Sequence, residues 1–413
     1  MEASVSVGIP PATLTRRERG LPRLLFAAGI SFYGDWLSTV ALVVLVFRLT
    51  GSVAAPALYM LARVAPRVLG PTPGGTLADR FDPSRVAAGC ALVQGILTAT
   101  IVLVAQHGII WAIFVTVAIA QFVNALSQPA YGALLPRLTS PDSLGRANGL
   151  LNSLFASSIL VAPAIGALAL PHTTPELLIA VDAGTFIIAA GILLTLRIPP
   201  TQRDAGVSNG GAAAGLPLVR RDSLLRSSAA AVLGNTAVIT ALQAVLVVAA
   251  TQHFGRDVDV GWLYAAVGGG SLIGSLSFLR SNPKRIRRRD IITFTATELL
   301  AFSAFVFVVN LPIACLLLFV SSLSGVAYQI LGSIALQQRT PTELLGRTTG
   351  VMRSAMYIGM LIGAIAALAL VQPLGWEATV LIVCAGAFVL LIVATVTGPR
   401  PALASTPLSD IPE

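Results

Sequence analysis

The chain has 413 residues, 55% of them hydrophobic and 11% charged, and no stretch has the size or composition of a soluble domain. Its net charge of +9 comes from arginines gathered at the ends of apolar runs, so the basic balance gives no support to nucleic-acid binding. Cys90, Cys315 and Cys384 fall in three separate runs without metal-ligand spacing, which excludes a disulfide framework or a cysteine metal site.

Residues 1–20 are rich in Pro, Ser, Thr and Gly and are expected to be a disordered cytoplasmic terminus. Arg16, Arg17, Arg19 and Arg23 then precede an apolar run, as in a signal peptide. The run is long enough to span and has no small-residue cleavage signature, so it reads as an uncleaved first span. Apolar runs of about 18 to 25 residues recur from Leu24 to Val396, each long enough to cross a hydrocarbon core as a helix. Twelve spans are read, near 24–47, 54–77, 86–105, 109–128, 148–170, 177–196, 227–252, 261–279, 291–309, 312–336, 350–371 and 376–396. On that map all 27 Lys and Arg lie on one side except Arg48 and Arg256, which are opposite, and Arg63 and Arg67, which are inside a span. The positive-inside rule then places both termini in the cytoplasm of a multi-pass cell-membrane protein.

Between the sixth and seventh spans, residues 197–226 carry Pro199-Pro200, a Gly/Ala stretch and five arginines, and read as a flexible cytoplasmic linker. The expected organisation is therefore a six-helix half over 21–196, the linker, a second half over 227–398 and a disordered tail over 399–413. Three landmarks repeat with offsets of 199 to 201 residues: Gly34-Asp35 with Gly234-Asn235, Gly75 with Gly274, and Gly145-Arg146 with Gly346-Arg347. Together they describe a duplicated six-span unit in parallel orientation, the plan of a rocker-type transporter with its site between the halves.

The segment Gly75-Thr76-Leu77-Ala78-Asp79-Arg80, continuing to Arg85, resembles the G-x-x-x-D-R-x-x-x-x-R loop of the major facilitator superfamily. Gly34-Asp35-Trp36, Ser127-Gln128-Pro129-Ala130, Leu135-Pro136-Arg137 and Arg146-Ala147-Asn148-Gly149 resemble its exporter branch, which includes macrolide-efflux and enterobactin-export proteins. The resemblance implies an all-α membrane fold of twelve transmembrane helices in two pseudo-symmetric halves. It also implies that Asp79 leans on the start of span 11, near Thr348 and Thr349, as a breakable cytoplasmic latch. Gly75, Arg80, Arg85, Arg146 and Arg347 would belong to the same gate.

Asp35 and Arg67 are expected at matching mid-membrane depth, with Arg63 one turn farther out. They make either a structural ion pair or a protonation site in which Arg67 sets the affinity of Asp35 for a proton. Glu298 is a further proton-coupling candidate, although packing or snorkelling is the favoured reading for both Glu298 and Asp182. Phe32, Trp36, Asn124, Asn152, Asn235, Gln243, Gln329 and Tyr357 are candidate cavity residues, with interhelical hydrogen bonding as the alternative for the amides. Pro163 and Gly166 in span 5 resemble a relaxed form of the antiporter glycine-proline motif and could bend that helix. Span 4 lacks the arginine usual in proton-driven drug antiporters of the family, which leaves Asp35, with Arg63 or Arg67, to substitute.

No ATP-binding loop, metal cluster, Ser/His/Asp arrangement or redox pair is found, and His107, His172 and His253 fall in outer loops. The expected function is proton-coupled efflux of hydrophobic or amphipathic small molecules by a monomer, without cofactor or enzymatic activity. Export of a dedicated metabolite such as a siderophore, or uptake of a nutrient, is the alternative.

Overall fold

The computed structural model describes residues 20–69, 71–140, 143–196, 216–280 and 286–396, and among these every regular element is helical. The first half contains α1 (Gly20–Thr50), α2 (Ala55–Leu69), α3 (Pro71–Arg80), α4 (Pro83–Gln106), α5 (Ile110–Leu138), α6 (Leu144–Ala169) and α7 (Pro175–Leu194). The second contains α8 (Leu216–Arg221), α9 (Ser223–Phe254), α10 (Val260–Arg280), α11 (Arg288–Phe305), α12 (Leu311–Arg339) and α13 (Thr342–Val396). Eight of these helices are long and apolar enough to cross a membrane. The described residues of the expected second span form α2 and α3, on either side of residue 70, and carry Pro66, Pro71 and Pro73. The expected eleventh and twelfth spans run together as α13, through a break at Gly375, whose φ of 83° is a conformation that glycine adopts without steric cost.

Local chemistry sets several helix starts. Asp82 caps α4 by accepting from the Ser84 N–H, with Pro83 at the first helical position. Thr174 caps α7 ahead of Pro175, and Asp222 caps α9 by accepting from the N–H groups of Leu224 and Leu225. The α9 helix ends at Gly255 in the left-handed region, φ 80°. The expected linker falls partly outside the described residues, over 197–215, while 216–221 and 223–226 are helical. The expected disordered tail, 399–413, and the expected disordered N-terminus, 1–20, also lie outside them, except for Gly20, which opens α1.

Each half is held by its own helix packing: α1 and α4 against α7 in the first, α9 against α13 and α10 against α12 in the second. The halves meet where α6 packs on α10 and α2 packs on α13. In the sequence repeat α2 corresponds to α10 and α6 to α13, so the two contacts exchange under the pseudo-symmetry. Small residues permit the approach. A Cβ on Gly268 would strike the backbone of Ile159 and Leu160, and one on Gly261 the backbone of Ala167.

The buried apolar core is unevenly distributed between the two ends of the bundle. At the end carrying Arg48 and Asp257 it is continuous across both halves, from Val40–Val46 of α1 through Tyr59 and Met60 to Val245–Ala250 of α9, Tyr264 and Trp376. Arg48 of α1 also makes a two-pronged ion pair with Asp257, in the short turn before α10. At the opposite end the core divides. Leu24, Leu134, Leu138 and Leu193 cluster within the first half, and Leu224, Ile291, Tyr328 and Leu331 within the second. The halves are thus sealed together at one end and enclose a cavity below the seal.

Candidate functional site

Asp35 lies at the centre of the 31-residue α1, about 22 Å from either end at the helical rise per residue. Its Oδ2 accepts from Arg63 Nη2 at 2.7 Å. The other terminal nitrogen of Arg63 donates to the hydroxyl of Thr39 and, at 3.1 Å, to that of Tyr59. Its guanidinium carbon stands 5.7 Å from the ring centre of Trp36, within cation–π range. Arg63 is 7% exposed, so this charge is held by a complete set of partners and not by water.

The expected partnership of Asp35 with Arg67 is therefore corrected: Arg63 is the partner. Counting helical rise back from Asp79 gives depth alone; Arg63 and Arg67 are a single turn apart, so the direction in which each long side chain reaches decides which of them meets Asp35. Arg67, one turn from Arg63, instead donates from Nε to Gln121 Oε1 of α5 at 2.7 Å.

Around this pair is a cavity of about 470 Å3. Asp35, Arg63 and Arg67 form its polar wall, with Asn124 and Asn152, while Phe32, Trp36 and Phe155 line the same half and Met356, Tyr357 and Met360 of α13 face them. Phe32 and Phe155 meet edge to face with centroids 5.3 Å apart. Asn124 Nδ2 donates to Gln94 Oε1 at 3.0 Å, tying α5 to α4 beside the pair. A second, much smaller chamber of about 20 Å3 lies between Asp35, Arg63, Gln94 and Asp182, with room for one water molecule. Asp182 is 2% exposed and accepts from the Thr185 hydroxyl at 3.2 Å, so it faces the interior of the half and does not snorkel. Gly34 is glycine for a steric reason: a Cβ there would collide with Asp182 Oδ1 and Thr185 Oγ1.

Phe32, Trp36, Asn124, Asn152 and Tyr357 stand on the cavity as expected, but Asn235, Gln243, Gln329 and Glu298 do not. Glu298 is fully buried in the second half, next to Asn235 of α9 and Tyr328 of α12. With its amide oriented to satisfy these neighbours, Asn235 donates to Glu298 Oε1 at 2.8 Å and accepts from the Tyr328 hydroxyl at 2.5 Å. Close packing at Gly325, where a Cβ would meet the Glu298 carboxyl, closes the cluster. Gln329 is exposed, and Gln243 contributes its backbone carbonyl to the Tyr264 hydroxyl at 2.9 Å. Polar residues in spans look alike in sequence, and the helix face each occupies decides whether it lines a cavity or bonds a neighbour.

Of the expected gate, Gly75 and Asp79 belong to α3, but the contact proposed for Asp79 with the start of α13 lies outside the described residues. Arg80 ends α3 and is exposed, as are Arg85 at the start of α4 and Arg146 in α6; Arg347 is half-buried in the first turns of α13. Thr348 is fully buried, its hydroxyl bonded to the Leu344 carbonyl at 2.8 Å. Pro163 sits inside an α6 that is helical on both sides of it, and a Cβ on Gly166 would touch Leu37 and Val40 of α1 at 3.6 Å.

Two helical halves around a central cavity, walled by ionisable residues at mid-bundle depth, have the architecture of a membrane transporter. The chain belongs to the Major Facilitator Superfamily, whose family model matches residues 24–309 and 244–412. It is 27% identical over 381 residues to the multidrug efflux pump Tap of Mycobacterium tuberculosis, covering 88% of this chain and 91% of that protein. Macrolide efflux protein A of Enterococcus faecalis is 28% identical over 151 residues, covering 36% of this chain and 46% of that one. In fold the chain superposes on the nucleoside transporter NupG with a TM-score of 0.72 at 16% identity, covering 92% and 98% of the two chains.

Proposed function

We propose that this protein is a secondary active exporter of hydrophobic or amphipathic small molecules, working by alternating access and coupled to proton entry. The observation that carries the reading is the Asp35–Arg63 pair, buried at mid-bundle depth yet forming the wall of the cavity. A carboxylate so placed can exchange its bond to an arginine for a proton when the cavity is open to water, and such a group is costly to keep in a membrane without a use. Aromatic and methionine side chains around the pair suit a greasy cargo of variable shape. The similarity to Tap supports the direction and cargo class.

In this reading the protein is a monomer of the cell membrane with both termini and the 197–226 linker cytoplasmic, and it uses a proton gradient and no cofactor. The seal at the Arg48–Asp257 end then closes the outer face, and the cavity belongs to the inward-facing state. Asp79 acts as the latch of the opposite state by meeting the N-terminal dipole of α13, an interaction worth about 0.3–1 kcal/mol and therefore breakable. The decisive experiment loads inverted membrane vesicles with a panel of dyes and antibiotics under an imposed pH gradient. Uptake of several hydrophobic compounds, abolished by a protonophore, is expected. Uptake indifferent to the protonophore would refute proton coupling, and absence of uptake across the panel would refute the cargo class.

A further inference from the structure

Arg63 and Arg67 lie one turn apart on α2, yet the structure uses their charges differently. Arg63 is saturated by Asp35, Thr39 and Tyr59. Arg67 also lines the cavity, and its one hydrogen bond among the described residues runs from Nε to Gln121. Gln121 is neutral, and the single carboxylate on the cavity wall, Asp35, is already taken by Arg63. Asp182 does not offset this charge in the cavity, because it opens on the small chamber behind the pair. Among the described residues the wall thus presents two guanidinium groups to one carboxylate, in a cavity also lined by Phe32, Phe155, Met356 and Met360.

An unmatched guanidinium at membrane depth is costly, and its planar fork fits the two oxygens of a carboxylate. A lipophilic cation in the same cavity would meet uncompensated positive charge in a weakly screening environment. We infer that the cavity selects amphipathic molecules bearing a carboxylate or similar oxyanion, with Arg67 as the residue that receives it. This rests on the proposed reading of the cavity as the transport site. The apolar body of the cargo lies against the phenylalanines and methionines, and its anionic end points to α2.

The test uses fluorescein and rhodamine 123, which share a xanthene ring but carry opposite charge, titrated by fluorescence anisotropy onto the full chain in lipid nanodiscs at one mildly alkaline pH. Wild type is expected to bind fluorescein more tightly. Arg67→Gln should weaken fluorescein about tenfold or more, as expected for one lost charge-assisted hydrogen bond, and leave rhodamine 123 unchanged or improved. Arg67→Lys should retain most of the anion affinity. Tighter binding of rhodamine 123 by wild type, or unchanged fluorescein affinity in Arg67→Gln, overturns the assignment while leaving the export reading intact. Binding of neither dye overturns both the assignment and the amphipathic cargo class. The wild-type ranking alone decides the matter if the variant fails to fold.

Discussion

Replacing Asp35 by Asn keeps the shape of the side chain and removes the counter-charge of a nearly buried arginine. Arg63 retains Thr39, Tyr59 and the face of Trp36, but loses the anion 2.7 Å away. Breaking a buried pair from one side costs about 3–5 kcal/mol in a dry site. The Asp35 side chain is 24% accessible and borders the cavity, so water screens part of the exposed charge. The expected loss therefore falls at the lower end, about 3 kcal/mol, read as a lower melting temperature and lower yield. Adding Arg63→Gln should restore stability, because the guanidinium that lost its anion is gone, whereas adding Arg67→Gln should not. Transport separates structure from coupling. In Asp35→Asn/Arg63→Gln, efflux driven by a pH gradient should stay lost while downhill substrate exchange survives. Efflux recovered in that double variant would eliminate Asp35 as the coupling residue, and rescue of stability by Arg67→Gln would refute the pairing itself.

The Arg48–Asp257 bridge joins the halves at the sealed end, with side chains 42% and 20% accessible, so it is worth at most about 1 kcal/mol. Arg48→Ala should shift the sealed-to-open ratio by up to about fivefold, measured by spin-label distances across that end, and the swap Arg48→Asp/Asp257→Arg should reverse the shift. In a cysteine-free background, Ala205→Cys and Arg256→Cys should label from opposite sides of the membrane; labelling of both from outside would overturn the topology. Asp79→Asn should insert normally and lose most transport, whereas a wild-type rate would reduce its loop to a topological anchor.

The helical membrane class and the repeat were legible because they rest on summed signals: long apolar runs, arginines on one side, and landmarks in register. The site was legible only in composition. Asp35, Arg63 and Arg67 stood out as charges inside spans, but their pairing depended on the direction in which each arginine reaches and on which face of α5 offered Gln121. Tyr59, Thr39, Gln94 and Gln121 carried no signal beyond ordinary polarity, because residues that bond an arginine across helices look like any others in an apolar run. Asp182 stood out as well, but its sequence position alone placed it too near the lipid. Gly34, whose missing side chain makes room for it, gave a clue that needed the position of α7 to interpret. The geometry at Gly375 was similarly hidden, since helical structure resumes directly beyond it and only the positive φ marks the change.

The two halves share a plan and divide the chemistry. Asn235 stands at the repeat position of Asp35 and Phe278 at that of Asp79, so the second half has lost both carboxylates. It buries Glu298 against Asn235 and Tyr328, away from the cavity, and gives the cavity Met356, Tyr357 and Met360. Among the described residues, the charged side chains on the cavity wall come from α1 and α2. In the proposed mechanism coupling and charge selection then fall to the first half, while the second supplies an apolar wall. Because α2 also packs directly on α13, the proposed mechanism has a change in the bonding of Asp35 and Arg63 act on the helix at which the halves meet. In the proposed mechanism the Asp35–Arg63 pair and the contact between the halves meet on α2, and no distant relay between them is required.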